Sequence, residues 1–245
     1  MTGLVLNIRR KAFPSTSGGG KNVVLSDIAL DIAAGSFVSI LGPSGCGKTT
    51  LLKIVAGLDV DFDGDVVWSD TAAGGRPKIG FVFQEPTLLP WRTVGENLRL
   101  VMTPGQIERR MDRVWLESMG LGAYGDSYPK DLSLGMSRRV ALARAFAVEP
   151  DILLMDEPFV SLDEETAQGL RRLLLRTWGQ KPTTVLFVTH DSREALQLAQ
   201  RLLIFAGTPS RVVRDEAIPL SVEERADPRK IDALRSKIKG ESPDA

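Results

Sequence analysis

Residues 37–49 read FVSILGPSGCGKT. The first five of them, residues 37–41, form an apolar run with β-branched members, which predicts a short buried strand. Residues 42–49 match the pattern Gly, four residues, Gly-Lys-Thr, and a helical segment follows from Thr49 to Ala56. The order of strand, glycine-rich loop and helix predicts an α/β fold with this loop at a helix N-terminus.

The loop at residues 42–49 has the chemistry of a phosphate-binding site. Glycines allow backbone N–H groups to turn inward as an anion-binding nest, and the helix N-terminus adds a partial positive charge. Lys48 supplies a point charge for the β- and γ-phosphates, and the Thr49 hydroxyl is placed to ligate Mg²⁺. A chance glycine-rich turn is the alternative, which the strand–loop–helix context disfavours. The residues predicted to contact the nucleotide here are Gly42, Pro43, Ser44, Gly45, Cys46, Gly47, Lys48, Thr49 and Thr50.

Length, charge and cysteine content narrow the class of protein. The 245 residues are enough for one large domain or two small ones. Lys plus Arg and Asp plus Glu number 31 each, and this balance argues against nucleic-acid binding as the main function. The sequence contains no apolar run of about 18 residues, so no membrane span is predicted. Near the N-terminus the basic residues follow a short apolar stretch, whereas in a signal peptide they precede it. The single cysteine, Cys46, fits a reducing cytoplasm, so we expect a cytoplasmic protein.

Further strands are predicted on both sides of the loop. Leu4–Ile8 and Ile28–Ile32 alternate apolar and polar residues, with a turn or loop between them at Ser15–Gly20. Apolar strands are also predicted at Ile79–Phe83, Ile152–Met155 and Val185–Val188. The last two are continuously apolar, as in parallel strands that are covered on both faces.

A helical insertion is predicted within the α/β core. Charged and apolar residues recur at helical spacing through Gln106–Met119 and again through Ser137–Val148. We therefore expect one domain at residues 1–220 with helices inserted at about residues 85–150, and a short polar tail at residues 221–245 with a helix from Pro228 to Ile238.

Two acids, Asp156 and Glu157, follow the predicted strand at residues 152–155. The carboxyl end of such a strand lies at the rim of the sheet, where the phosphate loop also lies. Asp156 is then suited to hold Mg²⁺ through water, and Glu157 is suited to polarise an attacking water molecule. Ordinary solvated charges at a strand end are the alternative interpretation.

The only histidine, His190, follows another predicted buried strand. A lone histidine is more often structural than catalytic. At a third strand end beside the other motifs, a contact with the γ-phosphate becomes the preferred interpretation.

Residues 132–145 read LSLGMSRRVALARA. This segment resembles the signature loop and helix of ABC transporter ATPases, and the resemblance covers about residues 4–215. Ser133 is also a good N-cap, so its hydroxyl and the following N–H groups are suited to bind phosphate, although a capped helix without a ligand is the alternative. The resemblance implies a P-loop NTPase core with a mainly parallel sheet, an N-terminal antiparallel β subdomain and a helical insertion. It also implies ATP hydrolysis with ATP and Mg²⁺ bound.

Other family elements match individual positions of this sequence. Gln84 resembles the Q-loop glutamine, which is expected to touch Mg²⁺ or the attacking water and to sense the permease. Asp163 resembles the D-loop aspartate, which contacts the opposite subunit. His190 is the expected switch histidine. Phe13 stands where the family places an aromatic residue against adenine, although core packing would also explain it.

The resemblance implies a dimer at a membrane. Two copies, or this chain and a paired ATPase, would face each other head to tail, with each ATP between the phosphate loop of one subunit and Ser133–Gly135 of the other. Their motion would pass to integral-membrane permease subunits through the Q-loop and the helical insertion. The expected location is the cytoplasmic face of the bacterial inner membrane, with a periplasmic or lipid-anchored solute-binding protein in the same system and no nucleic acid.

The segment EPTLLPWRTV at residues 85–94 is similar to that of importer ATPases for nitrate, sulfonates and taurine. Its apolar residues Leu88, Leu89, Pro90 and Trp91 are expected to be exposed as a docking groove for a permease helix. Packing of the insertion onto the core is the alternative, especially for Trp91.

The signature segment departs from the family pattern at Leu134, where the family has glycine. Glycine is needed where φ is positive or where a ligand comes close, but in a first helical turn Leu would cost little. Gly135 is retained. A slow regulatory subunit or ATP-dependent clamp, an exporter ATPase and a soluble ABC-type ATPase are the competing interpretations.

Alkylation of Cys46 is predicted to block ATP hydrolysis, because added bulk in the loop would collide with bound phosphate. The measurement is ATP turnover before and after stoichiometric thiol labelling, with the thiol-free Cys46→Ser variant as the reagent control. Full activity of the labelled protein would contradict the prediction.

Overall fold

The structure is a computed structural model that describes residues 2–15, 20–69 and 75–240. The predicted turn at Ser15–Gly20 lies outside the described residues at positions 16–19, as do the last five residues of the tail, 241–245. Nine strands and eight α-helices are found in the described ranges. The strands are β1 (Gly3–Pro14), β2 (Lys21–Ile32), β3 (Phe37–Leu41), β4 (Asp63–Ser69), β5 (Ile79–Val82), β6 (Ile152–Asp156), β7 (Thr184–Thr189), β8 (Arg201–Ala206) and β9 (Arg211–Ala217).

The nine strands form two sheets. A three-stranded antiparallel sheet has the order β2-β1-β4, and a six-stranded sheet has the order β5-β6-β7-β3-β8-β9. All neighbours in the larger sheet are parallel except β8 and β9. Both the antiparallel N-terminal subdomain and the mainly parallel core sheet are therefore confirmed. Every residue of β6 and of β7 is buried, as predicted for strands covered on both faces.

The eight α-helices lie between the strands along the chain, and the last one follows β9. Within the described residues, no helix has the length and apolarity needed to cross a bilayer. The helices are α1 (Lys48–Val55), α2 (Val94–Arg99), α3 (Pro104–Glu108), α4 (Met111–Ser118), α5 (Leu134–Ala147), α6 (Glu164–Gln180), α7 (Ser192–Leu198) and α8 (Pro228–Gly240).

The helical pattern predicted at residues 106–119 is two helices rather than one. α3 begins at Pro104, before the predicted start at residue 106, because Thr103 caps it. The Thr103 hydroxyl accepts a hydrogen bond from the Gln106 N–H, and the Gln106 side-chain oxygen accepts one from the Thr103 N–H. The chain then turns at Arg110, whose φ of 56° is left-handed, before α4 begins. A left-handed residue ends a helix, so the helical region predicted here is divided into two helices.

The main sheet lies between two apolar clusters. Leu153 and Met155 of β6 belong to the cluster formed with α5, α6 and α7. Ile152 and Leu154 of the same strand belong to the cluster formed with α1 and the antiparallel sheet. Alternate residues of a strand point to opposite faces, so one five-residue strand contributes to both cores.

The C-terminal helix α8 packs against the cluster on the α7 side. Ile231 is buried there with 1% of its surface exposed, and Leu234 and Ile238 pack beside it. Two polar contacts join α8 to α7. The Arg193 guanidinium pairs with both oxygens of Asp232, and Arg235 Nε donates to Ser192 Oγ at 2.8 Å.

Replacing Ile231 with alanine should destabilise the protein by about 2–4 kcal/mol, because a buried isoleucine leaves a cavity. For a chain of this size the melting temperature should fall by about 5–15 °C. Thermal unfolding measures the effect. The Val222→Ala variant is the control, because Val222 is 66% exposed and should change Tm by less than about 2 °C. Equal shifts for the two variants would contradict the packing of α8 described above.

Candidate nucleotide-binding site

The phosphate loop joins the end of β3 to the start of α1. Gly45 and Gly47 have φ values of 80° and 93°, in the left-handed region. A Cβ on Gly47 would lie 2.7 Å from side-chain carbons of both Val24 and Leu25. The loop therefore needs glycine at position 47 for two reasons, its backbone conformation and its contact with β2.

Lys48 is the cation at the centre of the loop. The residue is 4% exposed, and its Nζ donates to the carbonyl oxygens of Gly42 at 2.8 Å and Pro43 at 2.9 Å. Glu157 Oε1 lies 3.9 Å from the same nitrogen. These contacts fix a positive charge between the loop and the carboxylate at the end of β6.

Cys46 is buried inside the loop. Its Sγ lies 4.0 Å from Lys48 Nζ, and a Cβ on Gly42 would come within 2.9 Å of the sulfur. The thiol fills space between the two ends of the loop. An alkyl group on Cys46 would press on Lys48, which gives a physical basis for the predicted loss of activity.

Asp156 ends β6 opposite the start of α1. It is 4% exposed, and its side chain makes a hydrogen bond with the Thr49 side chain. Burial raises the pKa of Asp156, and the neighbouring Glu157 charge raises it further, while Thr49 and Lys48 act in the opposite direction. The structure thus brings together the hydroxyl and the carboxylate that the sequence predicted as magnesium ligands.

Glu157 lies between Lys48 and His190. Its backbone has a φ of 45°, and its N–H donates to the Val188 carbonyl of β7 at 2.9 Å. His190 Nδ1 lies 3.0 Å from Glu157 Oε2, so the two side chains at neighbouring strand ends are in direct contact. The lone histidine is half exposed and faces the site rather than the core.

Phe13 and Gln84 line the same cleft as the loop, Lys48 and Glu157, and the cleft has a volume of about 380 Å³. Phe13 is 39% exposed, which argues against its alternative role in core packing. The buried ammonium of Lys11 lies 4.5 Å from the centre of the Phe13 ring and holds that ring at the cleft.

The remaining predicted contacts lie at two other helix starts. Ser133 caps α5 and accepts a hydrogen bond from the Met136 N–H at 3.2 Å, while Asp163 caps α6. Gly135 packs so closely on α6 that a Cβ there would lie 2.7 Å from Thr166 Cγ2. In the described part of the chain, none of these three residues lines the cleft around Lys48.

Leu134 is the first helical residue of α5, and 44% of its surface is exposed. The position therefore does not require the backbone freedom of glycine, as expected if it lay in a first helical turn.

The expectation of four exposed apolar residues at positions 88–91 was half right. Trp91 is 69% exposed and Pro90 is exposed, but Leu88 packs against the larger core cluster and Leu89 is half-buried. The buried Asn97 side chain causes this turn, since it binds the Leu89 N–H and the carbonyls of residues 89, 92 and 93. Trp91 does not pack the insertion onto the core.

Sequence reasoning missed two cations of α5, the buried Arg138 and the half-buried Arg144. Arg138 donates to backbone carbonyls after Glu157, and Arg144 donates to those of Pro86 and Thr87 in the segment that follows Gln84. Burial lowers the pKa of both arginines. An arginine on the otherwise apolar side of a predicted helix was the sequence signal for such a contact. The signal does not identify the carbonyl groups that the arginine binds, because they are distant in sequence.

Comparison with known families gives a match to the model described as ABC transporter over residues 25–160. Curated relatives include the aliphatic sulfonates import ATP-binding protein SsuB of Bacillus subtilis (strain 168), 40% identical over 243 residues, 97% of this chain and 93% of the relative. The protein of that name from Bacillus anthracis is 42% identical over 218 residues, 88% of this chain and 86% of the relative. SsuB 1 of Pseudomonas savastanoi pv. phaseolicola (strain 1448A / Race 6) is 42% identical over 240 residues, 97% of this chain and 94% of the relative.

A solved structure of an ATP-binding cassette has a fold similar to that of this chain. A dimeric structure of the ATP-binding cassette MJ0796 in a post-hydrolysis state, bound to ADP and Pi, has a TM-score of 0.77 and 31% sequence identity. The superposition covers 89% of this chain and all of that one.

Replacing Asp156 with asparagine should raise stability in nucleotide-free buffer at neutral pH. Because its pKa is raised in the folded state, the native protein binds this proton more tightly than the unfolded chain. Stability is therefore lost as pH rises through the raised pKa, and the neutral amide removes that loss. We expect Tm to rise by about 2 °C.

Thermal unfolding with and without MgATP tests this expectation. MgATP should raise the Tm of the wild type more than that of Asp156→Asn, which lacks the carboxylate predicted to hold Mg²⁺. The exposed Asp126→Asn is the matched control and should behave as the wild type does. A lower Tm for Asp156→Asn without nucleotide would contradict the cost assigned to burying the charged carboxylate.

Proposed function

This chain belongs to the ABC transporter family, and we propose that it binds and hydrolyses ATP to drive a bacterial importer. The observation that carries the proposal is the position of Glu157, in contact with His190 and 3.9 Å from Lys48 at the phosphate loop. A carboxylate at this place is suited to act on water that attacks the terminal phosphate. The names of the relatives support an aliphatic sulfonate, within the nitrate, sulfonate and taurine class, as the imported solute.

Binding of ATP depends on the loop and the cleft. The backbone N–H groups of the loop and the α1 N-terminus receive the phosphates, with the Lys48 ammonium as the charged partner. Phe13, exposed at the same cleft, supplies an aromatic face for the adenine. The Lys11 ammonium under that ring keeps the face oriented before ATP binds.

The residues present also fit Mg²⁺. Thr49 and Asp156 offer one hydroxyl and one carboxylate side by side, and Gln84 adds an amide oxygen at the cleft. Magnesium is usually held by one or two carboxylates together with substrate phosphates and water. Bound there, it would neutralise charge on the β- and γ-phosphate oxygens.

Hydrolysis is assigned to the pair Glu157 and His190. Glu157 orients the attacking water and accepts its proton, while His190 holds the carboxylate through the 3.0 Å contact and reaches toward the γ-phosphate. Lys48 lies on the other side of Glu157 and balances the charge of that carboxylate when no nucleotide is bound.

A second copy completes the site. Ser133, Gly135 and Asp163 lie at the starts of α5 and α6 rather than in the cleft of their own chain. A head-to-tail dimer would place Ser133 and the first N–H groups of α5 on the nucleotide held by the partner. The dimeric assembly of the related cassette supports this arrangement. The helical start of α5 at Leu134 supports an active subunit over a slow regulatory one, because a helical residue does not need the backbone freedom of glycine.

Membrane subunits are the remaining partners. We assign Trp91 and Pro90, exposed beside the Gln84 segment, to the contact with a permease on the cytoplasmic face of the membrane. A solute-binding protein on the other side would deliver the solute to the permease.

The first test compares ATP turnover of the wild type and Glu157→Gln, with dimerisation followed by light scattering. The wild type should hydrolyse ATP. The variant should lose turnover by about a hundredfold or more, because the amide cannot accept a proton, and should accumulate as a dimer with ATP.

The control is Glu117→Gln, which changes an exposed glutamate on α4 in the same way and should leave both properties unchanged. ATP binding by the wild type without any turnover would overturn the proposed hydrolysis. Turnover without an ATP-dependent dimer of Glu157→Gln would overturn the composite site.

A further inference from the structure

The helix α5 connects two parts of the proposed machinery. Its first turn carries Ser133 and Gly135, and one turn further along it carries Arg138. The Arg138 guanidinium donates to the carbonyl oxygens of Pro158 and Val160, each at 2.7 Å, and lies 3.4 Å from the carbonyl oxygen of Glu157. One side chain therefore binds the backbone of the loop that begins with the proposed catalytic carboxylate.

This loop is held in an unfavourable backbone conformation. Glu157 and Ser161 have φ values of 45° and 62°, and left-handed backbone is unfavourable for a residue with a side chain. Such a conformation persists only when the surroundings stabilise it. The carbonyls that Arg138 binds lie between these two residues, so its fork stabilises the strained segment.

Arg138 is itself buried at a cost. It is 6% exposed, burial lowers its pKa, and its Nε has no hydrogen-bond partner within the described residues. The guanidinium is planar and presents several donors in a fixed geometry, so it can hold separate carbonyls at once. A buried cation bound to carbonyl oxygens is suited to fixing a loop rather than to binding a ligand.

We propose that Arg138 is a positioning residue that holds Glu157 in its reactive place and links it to the α5 N-terminus. The proposal rests on the function proposed above. The start of α5 touches the nucleotide held by the partner, whereas Glu157 acts on the nucleotide of its own chain. Binding at one site would then set the geometry of the carboxylate at the other through a single rigid side chain.

Steady-state hydrolysis by Arg138→Met and Arg138→Lys tests the positioning role. Methionine keeps an unbranched apolar stem and a similar helix propensity but removes the donors, so kcat should fall by about tenfold or more while KM for ATP stays within about twofold. Lysine should give an intermediate kcat, because an ammonium reaches fewer carbonyls than the fork. The exposed Arg172→Met on α6 is the control and should match the wild type.

Thermal unfolding of each variant shows whether Arg138→Met is folded well enough for its kcat to be interpreted. If it is not, Arg138→Lys decides, since a wild-type kcat for the lysine variant would overturn the proposal. A rise in KM without a fall in kcat would also overturn it, because that result places Arg138 in nucleotide binding. Absence of turnover in the wild type itself would refute the proposed function instead.

Mixed dimers identify the chain in which Arg138 acts. Each mixed dimer pairs one chain that has Glu157 with one Glu157→Gln chain, and Arg138→Met is placed in either the first or the second. Turnover should fall only when the substitution is in the chain that has Glu157. A fall only with the substitution in the Glu157→Gln chain would overturn the proposal, since Arg138 would then act through the α5 N-terminus on the nucleotide of the partner.

Discussion

The hydrogen-bond register of three parallel strands positions the phosphate loop and the two side chains beside it, Glu157 and His190. Leu41 at the end of β3 is level with Thr189 of β7, and Asp156 of β6 is level with Val188 of the same strand. The residues that follow these positions are therefore the phosphate loop, Glu157 and His190, side by side at one edge of the sheet. A shift of one residue in either of the two pairings would turn the acid or the histidine to the other face.

Much of this arrangement was predictable because it depends on local patterns. Apolar runs bounded by glycine or acids identified the ends of β3, β6 and β7, and strand ends in a parallel sheet meet at one edge. The pattern Gly, four residues, Gly-Lys-Thr predicted the glycine-rich loop between a strand and a helix, because this pattern is also local. Phe13 and Gln84 came from the family resemblance, and the cleft brings both to the loop.

The features that escaped prediction are one local backbone conformation and two sets of side-chain contacts with the backbone. Arg110 breaks a helix that periodicity alone joins, because a left-handed residue leaves no mark on the spacing of apolar side chains. Leu88 turns inward because the buried Asn97 pins the chain beside it. Arg138 finds its carbonyls about twenty residues away, and no sequence pattern encodes which backbone a buried arginine will bind.

The place of β3 in the sheet has a consequence for the order of folding. β3 lies near the start of the chain, yet its two neighbours are β7 and β8, which begin at Thr184 and Arg201. Pairing across some 150 residues closes a long loop, and such non-local contacts form slowly. A chain emerging from the ribosome presents its phosphate loop early, but the strand before the loop has no neighbours in the main sheet until most of the protein has been made. ATP therefore meets a competent site only near the end of synthesis, which delays nucleotide-driven pairing with a second copy until both sheets are complete.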